Sequence, residues 1–201
     1  MSAFHDDVWE SLPDDLHPPL VERRRAFLLA RVSAGDRVLD LGCGEGDFTA
    51  ALAAAGTEPL GADVSERALG RARARHPDLR FELVPPHGHF PWPDGAFDLV
   101  WASEVVEHVL DTARWLSEVR RVLIPGGRLL LTTPDHPRLR RLALAVRGFE
   151  GHFEPRGDHL RFYTRRSLRE LLTDFGFDEV RIEGAGGLPL VRTMLLASAH
   201  R

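Results

Sequence analysis

Short apolar runs alternate along the chain with segments whose apolar residues recur at helical spacing. This alternation is typical of an α/β fold in which helices cover both faces of a parallel sheet. The strands are predicted near 37–41, 58–63, 79–84, 97–102 and 126–132, and the helices near 19–32, 47–55, 65–75 and 112–124. Two later apolar runs, near 179–184 and 191–199, have no helix between them. We therefore expect them to form an antiparallel hairpin at the sheet edge.

The same pattern predicts a single domain over residues 1–201, because a chain of 201 residues can bury one core. Within it we expect a helical cap at 1–35 and an insertion on the substrate side at 135–160. The chain begins with acidic residues and has no apolar run near the ~18 residues that span a bilayer, so we expect a cytoplasmic protein. One cysteine, Cys43, excludes an internal disulfide.

The clearest functional signal follows the first strand, where an acidic residue precedes three glycines at alternate positions. The run is Val38-Leu39-Asp40-Leu41-Gly42-Cys43-Gly44-Glu45-Gly46. Glycine lets the backbone turn sharply and approach a ligand closely, and the helix that follows directs its free N–H groups at that ligand. The sixth position counted from Gly42 is Asp47, so the dinucleotide pattern G-x-G-x-x-G is not met. The loop predicts a bound cofactor.

The spacing D-x-G-x-G-x-G resembles motif I of class I S-adenosylmethionine (SAM)-dependent methyltransferases. Two later stretches resemble the same family: residues 90–100 resemble its L-P-F-x-D-G-S-F-D-x-V segment, and residues 121–127 resemble R-V-L-K-P-G-G. Together the matches cover roughly residues 36–133, in the family's order. The resemblance implies a Rossmann-like, seven-stranded, mostly parallel sheet with an antiparallel last strand, and SAM as the cofactor.

The cofactor is expected at the ends of the predicted strands. Asp63 ends the second strand, where an acid is expected to bind the ribose hydroxyls; its other reading is a cap for the helix that starts near Ser65. The acid that family members use for the adenine amino group falls on Pro86, so adenine is expected to rest on stacking and on backbone groups near 87–88. The predicted cofactor-binding residues are Asp40, Gly42, Cys43, Gly44, Gly46, Asp63, Val64, His87, Gly88 and Ala102.

A second candidate site follows the fourth strand, in Ser103-Glu104-Val105-Val106-Glu107-His108. If a helix starts there, Glu104, Glu107 and His108 share one face at the ligand-binding edge of the sheet. The E-x-x-E-H spacing resembles the metal site of ubiquinone-biosynthesis O-methyltransferases and of small-RNA 2′-O-methyltransferases. In the latter family a further histidine completes the shell, and residues 158–165 resemble the segment that supplies it, which puts His159 in that role.

This resemblance implies a divalent ion held by Glu104, Glu107, His108 and His159. Mixed nitrogen and oxygen ligands favour Mn²⁺, Fe²⁺ or Zn²⁺ over Mg²⁺. The alternative is that these side chains only cap and hydrogen-bond. Without a metal, His159 or His108 is the candidate general base.

These features favour an enzyme that transfers a methyl group to the hydroxyl of a small molecule. Two alternatives stay open: an RNA methyltransferase, and a non-catalytic SAM-binding regulatory domain. The net charge of −4 argues against nucleic acid as a partner. The insertion carries a basic amphipathic helix near 138–147, whose candidate roles are a lid, a peripheral membrane contact and a phosphate-binding face. Nothing in the sequence sets the oligomeric state.

Overall fold

The computed structural model describes residues 20–86, 88–147, 159–188 and 191–201. Within them a single sheet has the strands β1 (Arg37–Leu41), β2 (Glu58–Asp63), β3 (Arg80–Leu83), β4 (Phe97–Ser103), β5 (Leu123–Pro134), β6 (Asp178–Ala185) and β7 (Met194–His200). The helices are α1 (Val21–Leu29), α2 (Asp47–Ala54), α3 (Glu66–Arg75), α4 (Thr112–Val122), α5 (Arg138–Arg147) and α6 (Arg165–Asp174).

The strand order is β3-β2-β1-β4-β5-β7-β6. The first five strands pair in parallel, whereas β7 runs antiparallel to both β5 and β6. This arrangement confirms the predicted fold and the antiparallel hairpin. The order reverses at β1, and such a reversal opens a crevice at the carboxyl ends of the two central strands, where ligands of these folds bind.

The core lies on both faces of the central strand β4. Its residues Leu99, Val100, Trp101 and Ala102 are fully buried, as expected of a parallel strand covered on both sides. The Trp101 ring meets Phe27 of α1 at a centroid distance of 6.3 Å and Phe48 of α2 at 5.3 Å. This aromatic contact fixes α1 against the helix that follows the glycine loop.

Several boundaries differ from the prediction. The first helix spans 21–29 within the predicted 19–32, and α4 ends at Val122 because Leu123 already has extended dihedral angles and begins β5. Of the expected helical cap, residues 1–19 lie outside the described residues, and of the insertion so do 148–158. The domain boundaries therefore stay predictions. Among the described helices, none is long and apolar enough to cross a bilayer.

The space around Gly61 and Gly70 predicts that replacing each of them with alanine changes the stability in opposite directions. A Cβ at Gly61 in β2 would lie 2.5 Å from Phe81 Cδ1 and 2.9 Å from Thr49 Oγ1, whereas a Cβ at Gly70 in α3 meets nothing within 4 Å. We expect Gly61→Ala to lower the free energy of unfolding by about 1–3 kcal/mol through overpacking. Gly70→Ala should raise it by about 0.5–1 kcal/mol, since alanine favours a helix. Urea denaturation of both variants tests this, and a stable Gly61→Ala protein would contradict the packing.

Candidate active site

The glycine loop after β1 turns at residues with positive φ. Gly42, Gly44 and Gly46 have φ of 79°, 54° and 86°, a region that other residues rarely adopt. The amide groups of Gly42 and Cys43 both donate to the Ala62 carbonyl, at 2.7 and 3.0 Å, which fastens the loop to the end of β2. The loop then enters α2, with Gly46 at the N-cap.

The Asp63 carboxylate is part of the same construction. Its Oδ2 accepts a hydrogen bond from the Gly44 amide and its Oδ1 accepts one from the Ser65 amide, both at 2.9 Å. The N-cap of α3 is Ser65, whose hydroxyl oxygen accepts from the Ala68 amide. Asp63 therefore orients the glycine loop, whereas the cap of α3 is Ser65.

Asp40 ends β1 in a fully buried position. The Thr49 hydroxyl donates to its Oδ2 at 2.6 Å, which ties α2 to the strand. Burial raises the pKa of the Asp40 carboxyl to about 7, and the nearby Asp63 charge adds to the rise. Cys43 is also buried, against Leu69 and Ala72, and burial raises the pKa of its thiol.

The remaining predicted cofactor residues are Val64, His87, Gly88 and Ala102. Val64 follows Asp63 and packs against the main core, and Ala102 is fully buried near the end of β4. Gly88 has φ of 118°, and a Cβ there meets nothing within 4 Å. His87 lies outside the described residues. The way adenine is held stays a prediction.

The segment from Glu104 to His108 is a turn and not a helix, so the expected shared helical face is wrong. Glu104 has a φ of 57°, and its carboxylate accepts a hydrogen bond from the Thr132 hydroxyl at 2.8 Å. The left-handed residue turns the chain at the end of β4. Burial raises the pKa of the Glu104 carboxyl.

Three of the four predicted metal ligands nevertheless come together. Ligand atoms of Glu107, His108 and His159 all lie within 4.8 Å of one another, and we call these residues the reactive cluster. The two imidazole rings meet at a centroid distance of 4.8 Å and an angle of 73°. Glu107 is fully buried and His159 is exposed, and Glu104 does not belong to the group.

Backbone contacts hold His159 in place. The Glu107 carbonyl accepts hydrogen bonds from the amides of Leu160 and Arg161, at 2.9 and 3.2 Å. The Arg161 guanidinium donates to the carbonyls of Val109 and Leu110. The segment 159–163 is thereby strapped along the turn after β4. On the other side, the Thr133 hydroxyl donates to Glu107 Oε2 at 2.9 Å.

The turn also touches the cofactor loop. A Cβ added to Gly42 would lie 2.4 Å from Val105 Cγ2. The residue beside Glu104 in the sequence therefore packs directly against the glycine loop. The reactive cluster and the predicted cofactor site share one crevice.

Arg24 of α1 is a buried cation that sequence reasoning missed. It is 3% exposed, and its Nη1 donates to the Ser103 hydroxyl at 2.9 Å at the end of β4. Its Nε and Nη2 meet no acceptor in the described part of the chain. The guanidinium carbon lies 5.5 Å from the Phe48 ring centroid. Burial lowers the pKa of Arg24, while Glu104 and Glu107 raise it. Nothing in the run Arg23-Arg24-Arg25 distinguishes the residue that is buried.

The strand order of the parallel sheet reverses at β1, where the glycine loop lies, and β2 ends in an acid. These features define a Rossmann-like fold that binds a nucleoside-containing cofactor. Comparisons with known proteins make this specific. The profile of a family described as a methyltransferase domain matches residues 15–182. The chain belongs to this family and is a class I SAM-dependent methyltransferase.

Individual relatives agree with this placement. The ubiquinone biosynthesis O-methyltransferase of Methylococcus capsulatus is 33% identical over 184 residues, which cover 87% of this chain and 77% of that protein. The 27-O-demethylrifamycin SV methyltransferase of Amycolatopsis mediterranei is 39% identical over 137 residues, 64% of this chain and 50% of that protein. The crystal structure of a SAM-dependent methyltransferase from Mesorhizobium loti superposes with a TM-score of 0.68 at 26% identity, over 92% of this chain and 98% of that one. The predicted family and the SAM cofactor are confirmed.

The buried Asp40 predicts a pH dependence of stability. Its pKa is about 7 in the folded protein and about 3.9 in an unfolded chain. Between these values the folded state binds more protons, so the contribution of Asp40 to the free energy of unfolding falls as the pH rises from about 4 to 7. Asp40→Asn cannot ionise and should remove this fall. We expect the variant to gain on the order of 1–3 kcal/mol over the wild type between pH 5 and pH 8 in urea denaturation. The exposed Asp47→Asn is the control, and an equal difference at both pH values would contradict the prediction.

Proposed function

We propose that the protein transfers the methyl group of SAM to a hydroxyl oxygen of a small molecule. One observation carries the proposal: the reactive cluster of Glu107, His108 and His159 lies in the same crevice as the glycine loop, which Val105 contacts at Gly42. The relatives from Methylococcus capsulatus and Amycolatopsis mediterranei, both named as methyltransferases with an O-methylated or ubiquinone-pathway substrate, support the choice of oxygen.

The chemistry follows from the sulfonium of SAM, whose methyl group is already activated. The protein has to align the acceptor with that methyl group and to remove a proton from it. A hydroxyl needs help with the proton, because its pKa lies far above neutral. Histidine titrates near neutral pH and suits this task. His159 is exposed, so an acceptor can reach it, and without a bound ion we assign it the role of general base with His108 beside it.

Asp63 and Arg24 are proposed to hold the two ends of the cofactor. The amides of Gly44 and Ser65 both donate to the Asp63 carboxylate, which orients it at the end of β2. An acid in this place suits the ribose hydroxyls of the cofactor. Arg24 offers donors at the end of β4, close to the first turn of α2. Its guanidinium matches the carboxylate of the methionine part of SAM.

Both assignments predict a loss of affinity for SAM. Asp63→Ala should weaken binding by roughly 1–3 kcal/mol, and Arg24→Gln by about 1.5–3 kcal/mol, the usual range for hydrogen bonds to charged groups. Calorimetric titration with SAM and with S-adenosylhomocysteine measures both effects. The control is Glu66→Ala, on the exposed side of α3, where Glu66 pairs with Arg73. Unchanged binding in the two variants, with unchanged melting temperatures, would refute the assignments.

The reactive cluster also fits a divalent ion. Two imidazole nitrogens and one carboxylate oxygen are suitable ligands for Mn²⁺, Fe²⁺ or Zn²⁺, and their spread of up to 4.8 Å is close to that of ligands sharing one ion. We propose Glu107, His108 and His159 as the ligands. Glu104 is left out because it does not belong to the group of described residues whose ligand atoms lie within that spread. When bound, the ion lowers the pKa of hydroxyls that it binds, as in other metal-assisted reactions.

Methyl transfer from labelled SAM to catechol, sugar and RNA acceptors tests the proposal. We expect the catechol to be methylated on oxygen, and His159→Ala to lower kcat by about 10²–10⁴-fold, the usual contribution of a general base. His200→Ala is the control, because His200 ends β7 beside Arg128, at the opposite end of the strands from the crevice. If chelation abolishes turnover and Mn²⁺ restores it in the wild type but not in Glu107→Ala, the ion takes part. Turnover that persists under chelation would refute a role for the ion and leave His159 as the general base. Full activity of His159→Ala would refute both.

A further inference from the structure

Four arginines gather beside the crevice without a carboxylate partner. They are Arg140 and Arg141 in the first turn of α5, Arg165 at the start of α6, and Arg192 just before β7. We call them the arginine cluster. In the described part of the chain, none of the four lies within the 4.0 Å ion-pair distance of a carboxylate. By contrast, the neighbouring Arg166 pairs with Glu170 at 2.7 Å.

Local contacts bring these side chains to one place. The Arg140 Nη1 donates to the Asp135 carbonyl at 2.9 Å, just after β5 ends. A Cβ added to Gly184 would lie 3.4 Å from Arg165 Nη2 and 2.8 Å from Arg192 Cγ. The Arg165 guanidinium and the stem of Arg192 therefore lie over the same point of β6, and the Arg192 guanidinium donates to the carbonyls of Gly186 and Gly187 at 3.4 and 3.1 Å.

One carboxylate lies within the cluster. Asp135 is 7% exposed, and burial raises its pKa, while Arg165, Arg140 and Arg141 lower it. Three of the four guanidinium groups therefore act on one buried carboxylate, and those of Arg141 and Arg165 are exposed. Among the described residues, positive charge exceeds negative charge around Asp135.

The arginine cluster adjoins the reactive cluster. Thr133, whose hydroxyl donates to Glu107, lies on β5, and Asp135 follows two residues later, just after the strand ends, at a distance of about 7 Å. Asp135 also pairs with Tyr163 in an isolated parallel bridge, and the Tyr163 hydroxyl donates to the Val106 carbonyl at 3.4 Å. A small molecule can span the two clusters.

We propose that the arginine cluster binds an anionic group, a carboxylate or a phosphate monoester, of the acceptor whose hydroxyl faces the reactive cluster. The inference rests on the proposed methyl transfer to a small molecule. Guanidinium groups form paired hydrogen bonds with both kinds of anion. Arg141 and Arg165 are exposed and Arg140 and Arg192 are half-buried, so a ligand can reach them.

The outer side of α5 has a different character. Leu139, Leu142 and Val146 are 50%, 63% and 71% exposed, whereas Arg140 turns inward to Asp135. An anionic membrane surface would need the arginines and the leucines to face outward together. The inward contact of Arg140 favours the small anion, and membrane binding becomes an outcome of the test.

The test compares acceptors that differ only in charge. Calorimetry of the full chain with S-adenosylhomocysteine present measures binding of 3,4-dihydroxybenzoate, of its uncharged amide and of inorganic phosphate. We expect the benzoate to bind about 10–100-fold more tightly than the amide. The double variant Arg141→Gln and Arg165→Gln should reduce this preference to about twofold. Arg166→Gln is the matched control, and all variants should keep their melting temperature because the substituted charges are exposed.

The outcomes separate the possibilities. A benzoate preference that the double variant removes assigns a carboxylate. Phosphate binding that the double variant removes, without a benzoate preference, assigns a phosphate monoester. If neither appears, or if the double variant changes neither, the proposal is overturned. If the only effect of the double variant is a loss of binding to phosphatidylglycerol vesicles, the cluster contacts a membrane surface and the proposal is overturned as well. If the preference holds and no acceptor is methylated, the proposed function fails and the anion site stands.

Discussion

The contact on which the crevice depends is the set of three hydrogen bonds that joins the end of β2 to the glycine loop. The Asp63 carboxylate and the Ala62 carbonyl together accept from three successive residues of the loop. A loop of glycines is costly to order, because glycine loses more backbone freedom than any other residue. These bonds offset that cost and fix where α2 begins. The direction of its free amide groups follows from them.

Buried charge is concentrated around this loop. Asp40, Arg24, Glu104 and Glu107 all lie at the carboxyl ends of β1 and β4, at depths where ionised groups are expensive. Hydrogen bonds from threonine hydroxyls offset most of this cost. Thr49 donates to Asp40, Thr132 to Glu104 and Thr133 to Glu107. Arg24 differs, because only one of its nitrogens has a hydrogen-bond partner in the part of the chain described. Incompletely satisfied buried groups of this kind are found where function requires them.

Sequence patterns predicted the sheet well because its central strands carry short apolar runs, such as Leu129–Leu131 in β5, between segments with helical spacing. The turn after β4 was predicted wrongly, since the i, i+3, i+4 spacing from Glu104 to His108 assumes helical dihedral angles. Glu104 has a left-handed conformation instead, and no spacing rule reveals it. His159 reaches the reactive cluster only through tertiary hydrogen bonds to the Glu107 carbonyl. The role of His159 as a ligand was predicted from the resemblance to small-RNA 2′-O-methyltransferases and not from periodicity. Arg24 was missed because its burial depends on the packing of α1 against Trp101 and Phe48.

The strap of residues 159–163 joins parts of the crevice that lie far apart in the sequence. At one end, the amides of Leu160 and Arg161 donate to the Glu107 carbonyl. At the other end, Tyr163 pairs with Asp135 in a parallel bridge, and the Tyr163 carbonyl accepts from the His136 amide. The next helix begins at Arg165, directly after the Thr164 cap. A displacement of the strap would therefore move His159 and Arg165 together, one beside the reactive cluster and the other within the arginine cluster. Because two short backbone ladders hold the strap, the fold sets the spacing between the backbone positions of His159 and Arg165. If the two proposals hold, this spacing would select acceptors by length as well as by charge.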